Sequence, residues 1–187
     1  MLIRRLLAVG LLASFSSAAF WRIGVGKSRL EVQSEKTHFP TVSGFNLERK
    51  ELVLPRDLAG KLNILFVPFQ RQHQATVDTW IPFAREMEAT YDEVAHYELP
   101  TIDEMPMLSR TFLNEGMRAG IPDPVARERT ITLYIDTTKF RQATGIPNRN
   151  EVHILLVNRE GDILWRTTGR HNDEKAESLW RAIAENR

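Results

Sequence analysis

The sequence predicts an α/β domain of three layers, a mixed central sheet flanked by helices, over residues 39–187. Three observations carry that prediction. Compact apolar runs at 63–67 and 152–157 have the length and content of strands buried on both faces. Stripes at helical spacing alternate with strand-like runs, which argues for parallel pairing. A strand, a Glu160-Gly161 turn and a second strand stand ahead of a last helix, so the sheet has to be mixed.

Along the chain, 45–54 alternates well enough for a small hairpin, with Glu48, Arg49 and Lys50 at its turn and Pro55 at its end. Leu58, Ala59 and Gly60 form a bend before the buried run Ile64-Leu65-Phe66-Val67. Beyond a polar loop, Val77, Trp80, Ile81, Ala84, Met87 and Tyr91 share one helical stripe, and Pro82 inside it should kink that helix. A second strand is expected at 94–99. Leu108, Phe112, Leu113 and Met117 then mark a helix stopped by Gly120 and the Pro122-Asp123-Pro124 breaker. Ile131, Leu133 and Ile135 alternate as a strand, and a short helix follows around 140–144. The closing hairpin spans 152–167, and Asn172 or Asp173 can cap a final helix with the stripe Ala176, Leu179, Trp180 and Ile183.

The 187 residues suit one core, and 42% apolar with 26% charged residues is ordinary globular usage. Arg4, Arg5, Arg22, Lys27 and Arg29 all precede the first acid, Glu31. The other 20 of the 25 basic residues face 24 acidic ones, a net of −4. A slightly acidic body offers no footprint for a phosphate backbone, so nucleic acid is not expected as a partner. Residues 1–21 read as a targeting segment: a basic start, an apolar stretch from Leu6 to Phe15, then small residues ending near Ala19. That order fits a secretory signal, hence an exported, extracytoplasmic or periplasmic protein. Richness in Arg and Ser without acid fits a mitochondrial presequence as the alternative, and retention as an anchor is a third reading. Residues 22–38 read as a linker.

The chain has no cysteine, which removes disulfides, thiolate nucleophiles and cysteine metal ligands at once. His38, His73, His96, His153 and His171 show no paired spacing, and neither a metal nor another cofactor is expected. No nucleophile elbow, phosphate loop or dinucleotide fingerprint occurs, so no catalytic residue is nominated.

Over 39–187 the element order resembles the thioredoxin superfamily. Phe39-Pro40-x-x-x-Gly44, the short hairpin and the Leu58-Ala59-Gly60-Lys61 bend are similar to its secreted thioredoxin and peroxiredoxin branches. In thioredoxins a proline follows the second cysteine of the C-x-x-C motif by five residues. Counting back from Pro82 puts Gln74-Ala75-Thr76-Val77 where that motif would sit. The family's cis-proline ahead of the hairpin is displaced too, since Glu151 and Val152 occupy the approach and Pro147 is the nearest proline. The resemblance therefore implies the scaffold without its redox chemistry. The C-terminal half resembles the assembly factor family of the mitochondrial ATP synthase membrane sector. Phe140-Arg141, Thr144-Gly145-Ile146, Asn148, Leu155-Leu156-Val157-Asn158, Ile163-Leu164-Trp165-Arg166 and Gly169 carry it, with Glu177 and Leu179 in the helix beyond.

The resemblance implies a non-redox binding or assembly factor, chaperone-like, for a membrane-associated partner. That partner is a protein or peptide such as a membrane-complex subunit, met through peripheral or transient membrane association. Around the vacated motif, Gln70, Gln72, Gln74 and Thr76 can hydrogen-bond an extended peptide, beside Phe69 and Trp80. His73 stands at the expected helix start, where its imidazole could meet a ligand; it also reads as an ordinary solvated loop histidine. Trp165 and Arg166 should point to opposite faces of a strand, leaving Arg166 for solvent or an acidic partner. The candidate binding residues are thus Phe69, Gln72, His73, Gln74, Thr76 and Arg166. The alternative function is a peroxiredoxin-scaffold enzyme that handles a small ligand through His73 with Gln72 or Gln74. A membrane-associated structural module without a client is a third.

Overall fold

A computed structural model describes residues 37–187. The targeting segment expected at 1–21, and all but the last two residues of the expected linker, lie outside the described residues. Thr37 and His38 are tied to the domain: the Arg166 guanidinium donates to Thr37 Oγ1, and His38 N–H donates to the Ala143 carbonyl at 3.1 Å.

The sheet is built around two strands buried along most of their length, β3 (Leu62–Val67) and β7 (His153–Asn158), which pair antiparallel. Alternation divides their side chains between two cores. Leu65, Val67, Leu155 and Val157 join Phe39, Leu54, Leu133 and Phe140 on one face, whereas Ile64, Phe66, Ile154 and Leu156 meet Trp80, Ala84 and Leu179 on the other. Two cores separated by one sheet give the three layers expected. Each fully buried Leu, Ile or Phe contributes roughly 1.5–3 kcal/mol relative to exposure.

The hairpin strands β1 (Val42–Asn46) and β2 (Glu51–Leu54) pair with each other, and β1 continues onto β6 (Ile131–Tyr134). Arg49 takes a positive φ of 64° at the hairpin turn, where the Asn46 side chain accepts from Glu48 N–H and Lys50 N–H. Strand β4 (Val94–Glu98) pairs parallel with β3, and after Leu99-Pro100 the two-residue β5 (Thr101–Ile102) pairs parallel with β6. The ladders β2-β1-β6-β5 and β4-β3-β7-β8 are linked by a parallel bridge between Glu98 and Thr130, with β8 at Ile163–Thr168.

The helix expected across 77–91 is two helices, α1 (Gln74–Val77) and α2 (Ile81–Thr90). Pro82 occupies the first turn of α2, where its missing N–H removes no intrahelical bond, so it starts a helix instead of kinking one. Helix α3 covers Met107–Gly120. The expected breaker contains α4 (Pro124–Arg129), capped by the Asp123 carboxylate accepting from Val125 N–H. Helix α5 (Thr137–Thr144) is capped by Asp136 and ends on left-handed Gly145. Helix α6 (Asp173–Asn186) is capped by Asn172, and Trp180, expected on its buried stripe, is instead 44% exposed.

No residue of α3 is buried, although the apolar residues that mark it recur at helical spacing. It is held through its polar side: the Tyr134 hydroxyl donates to Asn114 at 2.7 Å, the Arg110 guanidinium stacks 5.2 Å from the Tyr134 ring, and Arg118 donates to the Leu47 carbonyl. Burial raises the Tyr134 hydroxyl to about 12, so it stays a donor. A Cβ at Gly116 or Gly120 would meet nothing within 4 Å. Gly116, in the helix interior, costs about 1 kcal/mol of helix stability relative to alanine, whereas Gly120 stands at the helix end. Among the described residues no helix is long and apolar enough to cross a membrane.

Candidate functional site

The vacated motif lies just beyond β3, where Pro68-Phe69 and a 3-10 turn (Arg71–His73) lead into α1. His73 is buried, contrary to its reading as a solvated loop residue. Its Nδ1 accepts from Phe69 N–H at 3.3 Å, which assigns the ring proton to Nε2, and that nitrogen donates to the Asn150 carbonyl at 3.2 Å. Both ring nitrogens are therefore engaged with backbone.

This bond belongs to a larger arrangement. In segment 147–150, ahead of β7, four successive carbonyls each accept from a side chain. Arg141 donates to Pro147 at 2.8 Å, His153 Nε2 to Asn148 at 3.0 Å, Gln70 to Arg149 at 3.2 Å, and His73 to Asn150. The Phe69 ring meets His153 edge-on at 6.2 Å, and Arg149 lies over Phe69 while pairing with Asp103 at 2.8 Å. Burial holds His153 below the usual histidine range, with its bond to the Asn148 carbonyl opposing. Its bond to the Asn148 carbonyl requires a proton on His153 Nε2. The loop facing the vacated motif is thus stitched to it by polar bonds.

The candidate residues divide between several places. Phe69 and His73 form the buried wall of the clamp, and Gln72 is exposed and donates to Gln70. Thr76 is half-buried on α1. Gln74 turns to the other side, its Nε2 donating to Asp78 at 3.0 Å and to Glu98 at 3.2 Å. Arg166 does extend outward from its strand, yet its guanidinium donates to the Thr144 carbonyl at 3.0 Å and to Thr37, closing the end of α5. Trp165 packs partly into the second core, its indole N–H donating to Ser178.

Gln74 opens onto a cleft of about 690 Å³ that the sequence did not suggest, running between α2, β4 and the 120–130 segment. Its charges are unevenly matched. Burial tends to raise the Glu88 carboxyl, but hydrogen bonds and charge from His96, at 2.9 Å, and the Arg129 charge, at 3.3 Å, hold it below the carboxylate range. Glu98 is pushed upward, by burial first and by the Asp78 charge. A carboxyl with a raised pKa in the folded state contributes stability that is fully present below its ordinary pKa. That stability is lost as pH rises through the raised value. Glu98→Gln should accordingly raise the melting temperature at neutral pH and flatten its fall above the ordinary carboxylate range. Thermal melts of both proteins from pH 4 to 8 check this, and an unchanged slope would refute it.

The stitched loop is formed by contacts 77 and 79 residues apart in sequence, and no local pattern announces them. Residues 32–185 match the model of the family described as ATP10 protein. No curated protein matches the chain significantly. Among solved structures it is similar to BsSco, a member of the Sco family of cytochrome c oxidase assembly proteins, at 12% identity and a TM-score of 0.51, covering 79% of this chain and 94% of that one. It is also similar to the exposed lipoprotein thioredoxin Etrx1 of Streptococcus pneumoniae, at 11% identity and a TM-score of 0.52, over 78% and 99% of the two chains. A thiol:disulfide interchange protein from a Bacteroides species matches at 14% identity and a TM-score of 0.51, over 78% and 88%. These likenesses show the thioredoxin-like fold.

Proposed function

The chain belongs to the ATP10 protein family, and from that premise we propose that it is a non-redox assembly factor, holding a subunit of a membrane complex non-covalently while the complex is built. The observation that carries this reading is the replacement of thiol chemistry by a polar clamp. The fold is kept, Gln74 and Val77 stand where cysteines would, and the facing loop is held by Gln70, His73, Arg141 and His153. Such a site can present a shaped surface but cannot form a mixed disulfide.

The client is a subunit of the ATP synthase membrane sector, on the strength of the resemblance carried by residues 140–179. Family membership favours the mitochondrial alternative for the compartment over export, with residues 1–21 as a presequence and with peripheral membrane association. Gln72, Thr76 and the outward part of Arg166 are the polar contacts offered to the client, and Phe69 and His73 shape that surface from beneath. An enzyme working through His73 finds little support, because neither ring nitrogen is free.

Cross-linking of tagged protein in native membranes, with identification of the captured partners and of the mature N-terminus, tests the proposal. Recovery of membrane-sector subunits is the expected result. Enrichment of a different membrane complex would replace the client, and recovery of nothing above a mock control would sink the assembly reading. The purified protein should also leave insulin disulfides and peroxide untouched.

A further inference from the structure

Among the described residues, helix α3 is the one place where large apolar side chains stand almost fully in solvent together, with Met107, Leu108 and Phe112 at 80%, 86% and 84% exposure. Leu108, Phe112, Gly116 and Gly120 follow one another at four-residue spacing, so they form a single ridge of the helix, large at one end and bare at the other. The bare end is open space: Gly120 ends the helix, whereas nothing among the described residues packs against the mid-helix Gly116. Two glycines one turn apart let a second helix approach backbone to backbone, as in the small-x-x-x-small crossings of membrane helices.

The charges of α3 indicate what kind of helix that would be. Arg110 is bound to the Met105 carbonyl and stacked on Tyr134, Glu115 is paired with Arg49 at 2.8 Å, and Arg118 is bound to the Leu47 carbonyl. Every charge on the helix has a partner within the domain, and the ridge itself carries none. An uncharged partner matches such a surface, whereas a charged one would lose hydration without compensation. A second copy of this chain is a poorer fit. A helix of this length spans about 21 Å, and two such faces fall well short of the roughly 1,200–2,000 Å² buried by a stable protein pair. A longer client helix can extend beyond both ends of α3, which a second copy of this helix cannot; Phe45, exposed nearby, lies instead in a small pocket with the charged Arg49, Glu115 and Arg118.

We propose that the outward ridge of α3 docks an uncharged apolar helix, of the kind that spans a membrane, with Leu108 and Phe112 as anchors and Gly116 and Gly120 as the crossing point. This names the class of client segment and rests on the assembly-factor reading. The test uses the purified full chain and a defined probe: a 20-residue Leu/Ala helix with one Gly-x-x-x-Gly and lysine ends, held in dodecylmaltoside micelles. The expected result is saturable binding to probe-bearing micelles and not to empty ones, weakened at least tenfold by Leu108→Ser/Phe112→Ser and by Gly116→Leu. Gly116→Leu should at the same time leave the melting temperature unchanged or higher, because leucine favours helix over glycine. Equal binding to empty micelles would make the face a lipid-binding one and overturn the proposal. Absence of binding, variants that bind like the parent, or concentration-dependent dimers through α3 would each overturn it as well. Membrane capture in cells separates this idea from its premise. A Leu108→Ser/Phe112→Ser protein that still captures the membrane subunit would leave the assembly role standing and remove α3 from it.

Discussion

Gly60→Ala is expected to lower stability by about 3 kcal/mol, near the upper end of what overpacking costs. A methyl group on Gly60 would lie 2.5 Å from the Leu62 carbonyl oxygen and 2.8 Å from both Ala95 N and the Glu93 oxygen. All three are backbone atoms of the β3 and β4 entry, and none can swing aside as a side chain would. The same residue is a junction. Its N–H donates to Asn63 Oδ1, and its carbonyl accepts from Asn63 Nδ2 and from the Arg159 guanidinium at the far hairpin turn. Any backbone shift that relieves the clash loosens buried Asn63, whose amide would lose partners within the core. For a domain of this size the melting temperature should fall by roughly 6–12 °C. A shift below about 2 °C would show that the bend relaxes far more easily than its packing indicates.

His73→Ala should cost roughly 2–3 kcal/mol, through the buried Phe69 N–H and the Asn150 carbonyl left without partners. The effect is structural in origin, which makes it separable from the loss of a ligand contact. Amide exchange over 147–151 should accelerate, and client capture should recover when the variant is assayed at lower temperature. A variant as stable as the parent that nevertheless lost capture at every temperature would return His73 to the role of a ligand-contacting residue. His153→Ala probes the neighbouring stitch. Because both histidines hold one loop, the double variant should cost less than the two single losses combined.

What could be read in advance followed local physical rules. The runs at 63–67 and 152–157 announce doubly buried strands because only a sheet covered on both faces tolerates such composition. Asn172 marks the start of the last helix because capping depends on one or two residues. Pro82 was visible but its consequence was not, since a proline kinks or begins a helix according to whether the turn before it is helical. Asp78, Thr79 and Trp80 form an irregular turn there, held by the Thr79 hydroxyl on the Thr76 carbonyl. Helix α3 has the periodicity of a packed helix and is unpacked, because periodicity reports an apolar face and says nothing of whether the same chain covers it. The geometry of the candidate site was less legible. Gln74-Ala75-Thr76-Val77 and the displaced proline pointed to the corner of the fold where the polar clamp lies, but burial of His73 and the tethering of Arg166 arise from contacts distant in sequence. Arg166 bonds to Thr37 and to Thr144, at separations of 129 and 22 residues, and no motif encodes such pairs.

The two borders of the sheet also bear on how this protein behaves when crowded. β2 is only four residues long and runs into Pro55, which has no N–H to offer a neighbouring strand. β8 carries an extra residue, Leu164, where its register with β7 shifts between Leu156 and Val157, and the bulge twists that border away from a straight template. Neither border invites another polypeptide to extend the sheet, so growth into fibrils from the folded state is blocked at both sides. The folded domain can then reach high concentration without its sheet serving as a template for aggregates.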